Sequence, residues 1–267
     1  MIINSYSFGG YTARTAAFLS ATGISDATIA NALNTMDLAL ISAGLLPTGT
    51  GAGTMKAIYP FVGGTATTHK FNFVNPADTD AAFRLTFAGG WTHSATGAKP
   101  NGTTGYANSH FKASVNLSSI NSYHQSFYSR LDTAAAERGC MGTLTGSTYW
   151  NIFPLYLDSR FYCGLMISAY MSSAEIGSKG LYLNSRTASN ASATYRNSTQ
   201  RATSATAPGT ISNIDLYIGA LNFNGAPFYY TDIECAFSSI GDGLSSIDVS
   251  NFYNLIQAFN TSLARQI

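Results

Sequence analysis

Serine, threonine, asparagine and glycine make up 104 of the 267 residues and are spread along the whole chain. All four favour turns, through local side-chain hydrogen bonds or a positive φ. Between them lie short runs rich in Phe, Tyr and Val, which suit a pleated, half-buried surface. Many short strands joined by many turns are therefore expected. Apolar and polar residues alternate with period two in KFNFVN (70–75) and FRLTFAGG (83–90). Further expected strands are HQSFYSRL (124–131), RFYCGLMI (160–167), KGLYLNSRT (179–187), ATYRNS (193–198), DLYIGALN (215–222) and IECAFSSIG (233–241). So many short strands suit two packed antiparallel sheets, a mainly β sandwich.

Only the two ends read as helical. Ser25 precedes a run in which Ile29, Leu33, Met36 and Leu40 recur at helical spacing, and Gly44 and Pro47 close it. An Ala-rich stretch, 12–21, predicts a shorter helix before a break at Gly23. PTGTGAGT (47–54) has three glycines and no large side chain, and reads as a flexible hinge. The expected division is a helical arm and hinge over 1–54 and a β body over 55–267. Such an arm can fold onto its own domain or pack against another chain, and both fates are open. At the other end, Val249, Phe252, Ile256, Phe259 and Leu263 share one face of a helix starting at Ser245 or Ser246, with Asp248 in its first turn.

Charge excludes some functions. Only 10% of residues are charged, and 14 Lys and Arg against 13 Asp and Glu leave a net charge of +1. This gives no electrostatic footprint for nucleic acid or an anionic membrane. The start MIINSYSFGG lacks the features of a secretion signal, and no run approaches the roughly 18 apolar residues of a membrane span, so neither is expected. Cys140, Cys163 and Cys235 form no CxxC pair or disulfide framework and read as small buried hydrophobes.

Three segments carry a resemblance as a set: MKAIYPFVGGTATTHKFNFVNPADTDAAFRLTFAGGWTHSATG (55–97), YLNSRTASNASATYRN (182–197) and ECAFSSIGDGLSSIDVSNFYNLIQAFNTSLARQ (234–266). They resemble concanavalin A-like, LamG-like jelly-roll proteins of tailed bacteriophages, including crAss-like phages. The most specific part is the ending, a strand, an SIGDGL turn and an amphipathic helix with NFYN. The resemblance implies a jelly-roll sandwich placed on a virion or its appendages, and neither a ligand nor a reaction.

The residues bear on chemistry as follows. Glycosidase action needs two carboxylates across a cleft, whereas Glu137, Glu175 and Glu234 are isolated and E-x-D-x-E is absent. There is no GxSxG elbow. His69, His93, His110 and His124 show no ligand-pair spacing, so no zinc and no other cofactor is expected. PADTDAAF offers Asp78 and Asp80 as weak calcium candidates, with a solvated turn as the simpler reading. Five N-x-[ST] sequons, from Asn101, Asn116, Asn190, Asn197 and Asn260, read as chance in so polar a chain. Glycan binding pairs an exposed ring with polar loop groups. GGWTHSATG, KPNGTTGYANSH and GSTYWN have that composition, which makes Trp91, His93, Asn101, Tyr106, Tyr149 and Trp150 the candidate ligand-binding residues. Among 16 Tyr and 16 Phe most rings must be packing, so the composition weighs more than any one residue.

The expectation is thus a non-enzymatic phage virion structural protein, a jelly-roll display domain held by its arm in a homo-oligomer, trimeric as a guess, or among other virion proteins. Deleting the arm is expected to leave the sandwich folded. The alternative is a lectin-like module for host-surface glycans, compatible with the first, and a glycan-cleaving enzyme stands third.

Overall fold

The computed structural model describes residues 10–267. Among them, the helices are α1 (Ala13–Thr22), α2 (Ala27–Ser42), α3 (Ala66–His69), α4 (Ala113–Asn116) and α5 (Ser246–Ser262). The strands run β1 (Met55–Tyr59), β2 (Thr86–Ala88), β3 (Trp91–Ser94), β4 (Gly97–Pro100), β5 (Tyr106–Lys112), β6 (Tyr123–Ser129), β7 (Met141–Thr145), β8 (Thr148–Phe153) and β9 (Arg160–Ile167). They continue with β10 (Met171–Ala174), β11 (Gly180–Ala188), β12 (Ala191–Arg196), β13 (Thr199–Ser204), β14 (Asp215–Ile218), β15 (Leu221–Phe223), β16 (Ala226–Phe228) and β17 (Cys235–Gly241).

The strands form two sheets. The first has the order β13-β12-β11-β6-β17-β4-β3, with β1 beside the far end of β17. The second has the order β10-β9-β8-β7-β14-β5-β2, with the hairpin β15-β16 added alongside β7. All pairings are antiparallel except β15 on β7. The mainly β, two-sheet sandwich expected from the sequence is therefore formed, with helices at both ends of the chain.

Alternation along the strands creates two cores. Tyr123, Phe127, Tyr182 and Ile240 from the first sheet meet Trp150, Ile152, Phe161 and Leu165 from the second in the space between them. Residues on the other face of the first sheet, Tyr128, Leu181, Leu183 and Phe237, pack under Leu33, Met36 and Leu40 of α2 and Val249, Phe252 and Ile256 of α5. Covered on both sides, β6 and β17 are buried at every position.

The helix ends are specified locally. Thr12 caps α1, which stops at left-handed Gly23. Asp26, next to the Ser25 noted in the sequence, caps α2. Ser245 and Asp248 form a reciprocal capping box at α5. Of the arm's two fates, the chain takes the first: Phe18, Leu33, Leu40 and Leu46 share a core with the sheet beneath them. The 47–54 segment read as a hinge is tethered, because the Arg14 guanidinium donates to the Pro47 and Gly51 carbonyls.

Two strand expectations need correction. Residues 70–75 are not a strand, since the Asn72 side chain replaces the ladder: its Oδ1 accepts from the Ile58 and Val74 amides and its Nδ2 donates to the Ala82 carbonyl. The 215–222 run breaks at Gly219, where φ is +88° and a Cβ would lie 2.8 Å from the Trp91 ring. The three cysteines are free and buried. Among the described residues no helix is long and apolar enough to cross a membrane.

Candidate binding site

The structure brings Trp91, His93, Asn101 and Tyr106 into one neighbourhood and places Tyr149 and Trp150 apart from it. Trp150 is fully buried between the sheets, edge-on to Tyr123, and cannot touch a surface ligand. GSTYWN reads as a polar loop but folds as a hairpin, and pairing of Trp150 with Leu165 turns the indole inward. Trp91 is half-buried against Phe87, with its indole N–H shared between the Ala88 and Tyr106 carbonyls. Asn101 organises its own loop, its Oδ1 accepting from the amides of Thr103, Thr104 and Gly105. Tyr106 packs on Tyr217 at 4.8 Å.

His93 pairs with buried His69, the two Nδ1 atoms 2.9 Å apart. Because His69 Nε2 accepts from the Gly64 amide at 3.2 Å, His69 must donate from Nδ1 and His93 must accept. Burial depresses both imidazoles, His69 to about 3, with His93 and Arg265 adding to its shift.

The two weak calcium candidates lie in an ion-paired turn. Asp78 accepts from Lys70 at 2.6 Å and Arg84 at 3.0 Å, and Asp80 from Arg84 at 3.0 Å. These cations occupy the carboxylates a calcium ion would need and hold the Asp78 carboxyl below its ordinary value, the Lys70 hydrogen bond first. Among the described residues no group of three or more His, Cys, Asp or Glu is placed to hold a metal.

Tyr149 alone leads to a cleft. Its ring stacks on Tyr170 at 4.3 Å and 7°, over Gly164, where a Cβ would come within 2.3 Å of the Tyr149 Cβ. Tyr170 is one wall of a cavity of about 230 Å³ lined by Phe153, Tyr156, Tyr162, Tyr170 and Tyr229. Phe153 and Tyr162 face each other across β8 and β9, on the side opposite the inter-sheet core. The connecting turn is closed by Tyr156 and Ser159 backbone bonds, Tyr156 N–H to the Arg160 carbonyl and Ser159 N–H to the Tyr156 carbonyl, and it brings Tyr156 beside them. Tyr229 arrives from after β16 at φ +52°, an uncommon conformation for a bulky residue.

Phe153 is the floor, 2% exposed, and meets Tyr156, Tyr229 and Tyr170 edge-on at 5.7, 5.4 and 6.1 Å. Tyr162 stands at 74° to Tyr156 and 82° to Tyr170. The tyrosines are half-buried or, for Tyr170, 36% exposed, so their rings reach solvent. Tyr156 donates to Glu137 Oε1, and Tyr162 to Asp158 Oδ2 at 2.8 Å. These bonds raise both phenols above the ordinary range, and burial pushes Tyr170 up to about 12, so all three remain protonated donors at neutral pH.

The sequence reading missed Phe153, Tyr156, Tyr162, Tyr170 and Tyr229. The signal available was NIFPLYLDSRFY, where aromatics flank a Pro and Asp-Ser turn.

No protein-family model matches the chain, and no curated protein does. Among solved structures, the fold is similar to domain 4 of AbnA, a GH43 extracellular arabinanase from Geobacillus stearothermophilus, in complex with arabinotriose. That match has a TM-score of 0.53 and 14% identity over 74% of this chain and 98% of that one. Trypanosoma rangeli sialidase is similar both as a mutant with trans-sialidase activity (TM-score 0.50, 11% identity, 85% of this chain) and in complex with a difluoro-KDN (TM-score 0.51, 12%, 84%). The chain spans 38% of the length of each sialidase. At such identities the likeness shows the fold, a β sandwich found in proteins that act on glycans.

Proposed function

We propose that this protein is a carbohydrate-binding module that seats a sugar in the tyrosine cleft. The observation that carries the reading is the cleft's build: solvent-reaching tyrosine rings over a Phe floor, with phenols and two carboxylates at the rim. Rings offer flat faces to the C–H faces of a sugar, and rim oxygens accept from its hydroxyls. The arabinanase domain of similar fold, solved with arabinotriose, supports the same class of ligand.

Binding rather than cleavage fits the carboxylates. Glu234 is engaged by Arg130 and Thr96, Glu175 by Arg196 and Arg201, and Glu137 by the Tyr156 phenol. A place on a tailed-phage particle is proposed with this reading on the strength of the three resembling segments. Finding the protein in purified particles by mass spectrometry would support that placement, and finding it only among soluble proteins of infected cells would oppose it.

The binding proposal is tested by calorimetric titration with neutral, acidic and amino-sugar oligosaccharides. Wild type should bind at least one class, and Tyr162→Ala should weaken it by about tenfold or more, equivalent to about 1.4 kcal/mol. Tyr162 is half-buried on the sheet's outer face, so its removal should lower the melting temperature by only a few degrees and leave unfolding cooperative. Equal binding by the variant would remove the cleft from the account.

A further inference from the structure

We infer that the ligand of the tyrosine cleft presents a compact organic cation, a substituted ammonium group, to the ring faces. The inference deepens the glycan reading and rests on its choice of this cleft as the binding site.

Three observations carry it. The first is shape. Neighbouring rings stand at 74°, 82°, 89°, 83° and 80° to one another, with centroids 5.4 to 6.1 Å apart, so the rings form the sides and floor of a box rather than a flat platform. Each wall still offers a face to a sugar, and together the walls surround a rounded substituent of that sugar from several sides. Aromatic rings carry negative potential on their faces, and a cation enclosed by several of them is held by each.

The second is charge. The lining contains no Lys, Arg or His, and two of its phenols donate to the carboxylates of Glu137 and Asp158. Donation to a carboxylate increases the electron density of a phenol ring, and the carboxylates add negative potential at the mouth. Of the cations close by, Arg138 is paired with Asp232 at 2.7 Å, and Arg160, held by the Ser172 hydroxyl at 3.0 Å, is the one whose charge reaches the Tyr162 phenol.

The third is fixed geometry. Tyr170 is held by the stack with Tyr149 and accepts from the Asn151 amide at 3.4 Å. Tyr156 and Tyr162 are tied through their phenols, and Tyr229 is set by its backbone. Little side-chain freedom is lost when a ligand enters such a box.

The test separates charge from shape. Choline and its uncharged carbon isostere 3,3-dimethyl-1-butanol are titrated into the full chain, following tyrosine ring resonances by NMR. Choline should bind about tenfold tighter or more than the isostere. Tyr162→Ala should abolish choline binding, and Glu137→Gln, which keeps the hydrogen-bonding shape, should weaken it. Equal binding of the two compounds, or none of choline, would overturn the inference. In the parallel oligosaccharide titrations, binding of uncharged sugars with no choline binding would leave the glycan reading standing and this inference refuted. Choline binding with no oligosaccharide bound would refute the glycan reading instead.

Discussion

Buried charge and buried imidazole decide much of this fold residue by residue. Arg265 is fully buried and donates to the carbonyls of Pro60, Phe61 and Ala236 and to Asn260 Oδ1, with its guanidinium 5.2 Å from the Phe259 ring centre. No carboxylate touches it among the described residues, and desolvation lowers it to about 9. Arg14 and Asp37 form a fully buried ion pair within the arm, joining α1 to α2. Asp37→Ala leaves the guanidinium unpaired, and a loss of about 3–5 kcal/mol in denaturant unfolding is expected. His124 donates from Nδ1 to the Asp242 carbonyl at 2.6 Å and accepts at Nε2 from the Ser239 hydroxyl at 3.0 Å, so it is neutral in the fold. Burial lowers it to about 4, as burial lowers His69 to about 3. The unfolded chain protonates both near pH 6.5 and so takes up more protons between that value and the folded ones. Stability is therefore at its full value above pH 7 and falls on acidification, by up to about 1.4 kcal/mol per pH unit for each histidine. Urea unfolding from pH 7.5 to 4.5 checks this, and His124→Gln should lower the slope; a flat profile would contradict the assigned neutral state. Trp150→Ala should cost about 3–5 kcal/mol through its cavity and leave ligand binding intact.

At the level of elements, the arm is part of the core. Each of Phe18, Leu33, Met36 and Leu40 is at most 2% exposed, and each such burial contributes about 1.5–3 kcal/mol. A chain starting at Met55 should therefore aggregate or lose cooperative unfolding, and one that melts like the full chain would contradict the shared core. The sequence expectation is a sandwich indifferent to the arm, because 3.6-residue periodicity reveals an apolar stripe without saying which surface covers it. The same periodicity does locate the helices: Leu33, Met36, Leu40, Val249, Phe252 and Ile256 all lie in the core as spaced. Strands were legible where apolar residues are buried along the run, as in β9 over 160–167, which matches residue for residue. They were illegible where neither face is fully covered, as in β13 with its polar TQRATS. They were falsely legible at 70–75, where the Asn72 side chain takes the place of a neighbouring strand.

For the molecule as a whole, the proposed function rests on a site that one segment, NIFPLYLDSRFY, announces only in part. Phe153 on β8 and Tyr162 on β9 are joined by Tyr156, Tyr170 and Tyr229 from three separate connections, which topology gathers at one end of the second sheet. Composition pointed toward aromatic and polar recognition, but it could not say which rings the sheets turn inward, and Trp150 went to the core for that reason. A nearly neutral chain with a ring-lined, carboxylate-rimmed cleft is suited to a ligand with apolar faces and hydroxyl or ammonium groups, and poorly suited to a polyanion. The most direct measurement is calorimetric titration of wild type and the Tyr162→Ala variant with the best oligosaccharide from a glycan-array screen, with thermal melts in parallel. The account predicts saturable binding by wild type, weakened about tenfold or more in a variant that still unfolds cooperatively within a few degrees of it. A wild type that binds no glycan, or a variant that binds as well, would contradict it.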